Sequence, residues 1–88
     1  MEVFVDIEQR VTNLIKEPIE KIGIILDQVL YLKEGSQYFL RIIIDKQGFI
    51  DLDDCVNVTN IINPILDKND IIENNYILDV CSKEKGCE

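Results

Sequence analysis

Asp51, Asp53 and Asp54 place three carboxylates within four consecutive positions, and Cys55, Cys81 and Cys87 supply three thiols. Carboxylates this close together have two common uses. They hold a hard cation, or they satisfy the unpaired N–H groups and the positive dipole at the start of a helix. A calcium loop needs alternating ligands, a central Gly and a terminal Glu, and Asp45-Lys46-Gln47-Gly48 does not supply them. Capping is the stronger reading, with Asp51 as N-cap and Asp54 as its partner in a short capping box. Asp53 is left to face outward, because Leu52, Cys55 and Val56 are assigned to the core side of that turn.

The thiols offer less. The chain has no His, so the commonest acid/base group and metal ligand is missing. Ser36 and Ser82 have no imidazole to activate them. Cys55 falls on an apolar helical stripe and reads as a small core residue. Cys81 and Cys87 do not have a common zinc spacing, and two ligands do not close a tetrahedral site. A disulfide between them is sterically open but unforced. Gly23, Gly35, Gly48 and Gly86 form no phosphate-binding run. These readings predict a protein that is not an enzyme, with no metal, cofactor or small-molecule substrate.

The chain has 88 residues, of which 47% are apolar and 30% charged, enough for one small core. Its net charge of −8 repels phosphates and favours a basic protein surface. No window is apolar enough for a membrane helix, and Met1-Glu2-Val3-Phe4-Val5-Asp6, with no basic region and no small-residue cleavage site, is not expected to act as a signal peptide. A cytoplasmic protein with reduced thiols is expected.

The elements that must position these groups follow from periodicity. Val3 or Phe4, Ile7, Val11, Leu14, Ile15, Ile19 and Ile22 make one helical stripe. Pro18 predicts a kink near Leu14–Glu17 or two short helices, and Gly23 fits a left-handed cap. Two strands follow, Ile24 to Lys33 and Tyr38 to Asp45, joined by Glu34-Gly35-Ser36-Gln37 as a hairpin loop. Tyr38, Leu40, Ile42 and Ile44 are assigned to the core. In the strand before, either Val29 with Tyr31 or Leu26 with Leu30 and Leu32 turns inward. Leu52, Cys55, Val56, Thr59, Ile62 and Leu66 form the second helical stripe, with Pro64 expected to bend or end it. Asp67-Lys68-Asn69-Asp70 reads as loop, and Tyr76 to Cys81 as the third strand. The order α-β-β-α-β predicts an α+β two-layer sandwich, two helices on one face of a three-stranded sheet. The other sheet face lacks a covering layer. Phe39, Arg41 and Ile43 stand on it beside Ile77 and Asp79, an interface candidate or an ordinary strand surface with an Arg41–Asp79 pair.

Several segments in this order resemble a known family. Lys33-Glu34-Gly35, Phe39-Leu40-Arg41-Ile42-Ile43-Ile44-Asp45, Gly48 and Leu52-Asp53-Asp54-Cys55 are similar to the "VKEG", "LRVYID", Gly-turn and "LDDC" segments of the N-terminal domain of RimP, a bacterial ribosome maturation factor. Ile65-Leu66-Asp67 and Tyr76-Ile77-Leu78-Asp79-Val80 are similar to its "LLD" and "YxLEV" segments, and Glu17-Pro18 and Gly23 match its first helix. The resemblance spans about residues 7 to 82. That family continues with "SSPGxxRPL" and a small β-barrel, where only Ser82, and Gly86 with an insertion, answer here. One domain over residues 1–81 is therefore expected. Residues 82–88 are expected to be a tail that begins a linker to a β-barrel absent from this chain.

The resemblance implies a non-enzymatic factor for small-subunit assembly that binds the assembling particle through a basic ribosomal protein, with RNA contact indirect or weak. Asp53, Asp54, Phe39, Arg41 and Ile43 are the candidate partner-binding residues. The alternative is a stand-alone RNA-binding module, since the element order is similar to K-homology folds. Those clamp RNA with a GxxG loop that this sequence lacks.

Overall fold

The computed structural model describes residues 2–72 and 74–83. Its elements are β1 (Glu2–Val3), α1 (Val5–Lys21), β2 (Ile25–Glu34), β3 (Gln37–Asp45), α2 (Leu52–Asn69) and β4 (Tyr76–Ser82). The expected α-β-β-α-β order is present. The sheet has one strand more than predicted, because Glu2 and Val3 leave the first helix and pair with Lys33 and Leu32 of β2. The strands lie in the order β1-β2-β3-β4. β2 and β3 form an antiparallel hairpin, and β4 returns parallel to β3 after α2 has crossed over.

Both helices cover the same sheet face. Val11, Ile15 and Ile19 of α1 and Val58, Ile62 and Leu66 of α2 are buried against Leu40, Ile42 and Ile44 of β3. The inward residues of β2 come from both sequence alternatives. Val29 and Tyr31 are buried, and Leu26 packs against the same core. A bulge explains this mixture. Leu26 pairs with Ile44 while Gln28 pairs with Ile43, so the ladder skips Asp27 and the alternation changes phase there. Leu30 and Leu32 accordingly share the outer face with their partners Arg41 and Phe39.

Neither proline ends its helix. Pro18 lies within α1 and Pro64 within α2, which runs five residues past it to Asn69. Of the two outcomes expected at Pro64, the end of the helix is corrected, and so is the loop over Asp67–Asn69. An interior proline costs about 3 kcal/mol. Carrying α2 onward packs Ile65 and buries Leu66, and each buried aliphatic side chain returns roughly 1.5–3 kcal/mol. The helix stops at Asp70, which is left-handed and whose N–H donates to the Leu66 carbonyl. At the end of α1, Gly23 has φ +81°, its N–H donates to the Glu20 carbonyl and that of Ile24 to Ile19, a Schellman cap. The hairpin closes on only two residues, Gly35 and Ser36, with the positive φ at Gly35 that such a turn requires.

Phe4, Tyr31 and Tyr38 form an aromatic cluster with ring centroids 5.1–6.0 Å apart. Tyr31 is fully buried, and burial raises its pKa above the ordinary 10.0. Asn74 lies close enough to ease that shift, yet no hydrogen bond of good geometry reaches the hydroxyl. A raised pKa means that folding favours the protonated phenol. Its contribution is complete below pH 10 and is lost as the pH climbs through the folded-state value. Tyr31→Phe should therefore leave stability in urea unchanged or slightly higher at pH 7 and reduce its loss above pH 10. A cost above about 1.5 kcal/mol at pH 7 would mean that the hydroxyl is bonded after all.

Candidate functional site

Two surfaces carry the predicted partner-binding residues. The first is the outer sheet face. Phe39, Arg41 and Ile43 alternate along β3 with their side chains away from the helices, between Leu32, Leu30 and Gln28 of β2 and Ile77, Asp79 and Cys81 of β4. Arg41 Nη2 stands 4.0 Å from Asp79 Oδ2, with both side chains about a third exposed. Its Nε is buried without a hydrogen-bond partner. The expected cross-strand pair is present, at the long limit for an ion pair. A shallow depression lies on this face, floored by Leu30, Arg41, Ile43 and Cys81 and edged by Asp27 and Lys83, whose charges meet at 3.3 Å.

The second surface is the acidic first turn of α2. Asp51 is the N-cap. Its Oδ1 accepts from the Asp54 N–H at 3.0 Å, and Asp54 Oδ2 accepts from the Asp51 N–H at 3.1 Å, so the capping box is complete. Ile50, just ahead of the cap, is buried, and Cys55 at the fourth helical position packs on the same core, which fixes the angle of α2. Lys46 Nζ reaches both oxygens of Asp54, at 3.2 and 3.1 Å. Asp54 is thus committed within the protein, while Asp53 is exposed.

The reason first given for Asp53 facing outward needs correction. Leu52 and Val56 do not occupy the core side. Leu52 is 79% exposed and Val56 48% exposed. The buried stripe is Val58, Ile62 and Leu66, flanked by Cys55, Ile61 and Ile65. At 100° per residue, Val56 lies roughly 120° around the helix from the centre of that stripe, and Leu52 roughly 80°. The sequence reading also missed Phe49, which is 80% exposed. The signal was present. An apolar residue immediately before an N-cap belongs to the core, so Ile50 takes that place and the apolar residue before it does not.

Among the described residues no three His, Cys, Asp or Glu side chains converge on a metal position. No described helix is long and apolar enough to cross a membrane. Cys81, expected as a reduced thiol, is buried and disulfide-bonded. Cys87 and the rest of the predicted tail from residue 84 lie outside the described residues.

Comparison with protein families matches residues 14–83 to the RimP N-terminal domain. The chain belongs to that family. The match runs from the middle of α1 through β4 and contains both candidate surfaces. The family is that of a ribosome maturation factor, associated with ribosome assembly and generally without enzymatic activity.

Two outcomes test the acidic turn. Asp51→Ala should cost about 1 kcal/mol in thermal or urea unfolding, since the Asp54 N–H loses its acceptor. The Asp54 carboxyl is held below its ordinary value of 3.8, first by the Asp51 N–H and then by Lys46. Folding therefore favours the carboxylate. Its contribution is present above pH 3.8 and is lost as the pH falls through the lower folded-state value. Asp54→Asn should flatten the fall in stability below about pH 4, and an unchanged acid limb would show that the box contributes no linkage.

Proposed function

We propose that the chain acts in the maturation of the small ribosomal subunit in the cytoplasm, binding the assembling particle through a basic ribosomal protein and catalysing no reaction. The observation that carries this reading is the family match over residues 14–83. The net charge of −8 supports a basic protein contact over a direct phosphate contact. The outer-face residues Phe39, Arg41 and Ile43 and the exposed Asp53 are the proposed contact residues. Asp54 contributes by holding the turn that presents Asp53. The α-β-β-α-β order favours one competing reading, an RNA-binding module of K-homology type.

Co-sedimentation with purified small ribosomal subunits at low and high salt tests the proposal. Binding that weakens with salt and is inherited by extracted small-subunit protein supports it. Tight binding to ribosomal RNA alone, falling steeply with salt, supports the RNA module instead. Asp53→Lys should slow association at low salt, with the effect shrinking as salt screens it. The substitution should change stability by less than about 1 kcal/mol. A folded Asp53→Lys variant that associates at the unmodified rate removes Asp53 from the contact.

A further inference from the structure

The exposed apolar side chains are not spread evenly. Seven large apolar residues are exposed among the described residues: Val5, Ile22, Ile25, Phe49, Leu52, Val56 and Ile77. Five of them lie toward one end of the sandwich. α1 ends at Lys21 and β2 starts at Ile25, which pairs with Asp45 at the end of β3. The chain then turns through Phe49 into α2, which begins at Leu52. Ile22, Ile25, Phe49 and Leu52 therefore share that end, with Val56 one turn further along α2 on the Leu52 side. Val5 and Ile77 belong to the opposite end, where α1 and β4 begin. None of the five serves the core, which is complete without them.

Among the described residues the charge around this end is one-sided. The three described lysines that flank it are each paired: Lys21 with Glu17, Lys46 with Asp54 and Lys83 with Asp27. Asp45, Asp51 and Asp53 stand beside it in no ion pair among the described residues. An apolar surface rimmed by carboxylates without a counter-ion repels nucleic acid. It also repels a second copy of this chain, which would bring the same carboxylates face to face. It complements a surface that carries both cations and large apolar side chains.

We propose that this end, with Phe49 and Leu52 as its anchors, is the docking surface for a basic segment of a small-subunit ribosomal protein that inserts apolar side chains between Lys and Arg residues. The proposal rests on the functional reading above and extends its contact surface from Asp53 to the exposed apolar residues beside it. Phe49 and Leu52 supply contact area, and Asp51 and Asp53 supply orientation and on-rate.

The test joins one double variant to one cross-link. Phe49→Gln with Leu52→Gln alters only exposed side chains, so the thermal midpoint should hold. Its binding to purified small subunits should weaken roughly tenfold or more at low and at high salt alike, unlike the salt-dependent effect of Asp53→Lys. A photo-reactive p-benzoylphenylalanine in place of Leu52 should cross-link to a Lys/Arg-rich peptide of a small-subunit protein. Unchanged binding of the folded double variant overturns the proposal while leaving the functional reading standing. So does a cross-link found only to RNA or to a second copy of the chain. Failure of the unmodified protein to co-sediment at any salt overturns the functional reading and this proposal together.

Discussion

The structure depends on strand β3 being buried on one face and hydrogen-bonded along both edges. Leu40, Ile42 and Ile44 have no solvent exposure, and β2 and β4 flank them in register. These side chains belong to the one core cluster that also takes in the buried residues of α1 and α2, with α1 packed chiefly along β2 and α2 against β4 and α1. The β-branched run Ile42-Ile43-Ile44 suits this position, because stiff side chains fill a pleated surface with little further loss of freedom. Everything else adjusts to β3. The bulge at Asp27 brings Leu26 back to the inner face, and α2 continues through Pro64 to pack against β4.

An acidic chain must also place its carboxylates where they do not oppose folding. Several are used locally. Asp51 and Asp54 close the start of α2, Lys46 and Lys83 each take one carboxylate, and Asp45 accepts from the Lys46 N–H at 2.8 Å. Glu8 acts at longer range. Its Oε2 accepts from the Tyr31 N–H at 2.9 Å, next to the two β2 residues that β1 already pairs. A two-residue edge strand and one carboxylate together cover part of a sheet edge that would otherwise offer itself to another chain. Asp53, which none of these contacts uses, stands where the exposed apolar residues collect.

The two candidate surfaces differ in physical character. The outer sheet face is half-buried, with Arg41 held between Leu30 and Asp79, and its residues already serve the sheet as cross-strand partners. The end formed by the α1–β2 turn, the β3–α2 turn and the first turns of α2 is far more exposed, and its apolar side chains do no packing work. Membership of the RimP N-terminal domain family, matched from the middle of α1 through β4, is the link to ribosome maturation. The uneven distribution of apolar and acidic residues separates one surface of that fold from another.

The sequence alone determined the order of elements, the inner face of β3, the capping box and the family. Each of these depends on short-range spacing: alternation along a strand, three residues from N-cap to partner, a series of motifs in fixed order. It misjudged Pro64, the strand at Glu2–Val3 and the facing of Leu52 and Val56. It also left β2 between two patterns, of which the inner face takes Val29 and Tyr31 from one and only Leu26 from the other. Those outcomes depend on energies between distant segments. Packing by Leu66 offsets a helix-breaking residue, a bulge is set by the ladder to β3, and a helix rolls until Val58 and Ile62 meet α1 and the sheet. Local periodicity identifies the apolar residues of α2. Only the packed tertiary structure decides which of them the core takes and which it leaves in water.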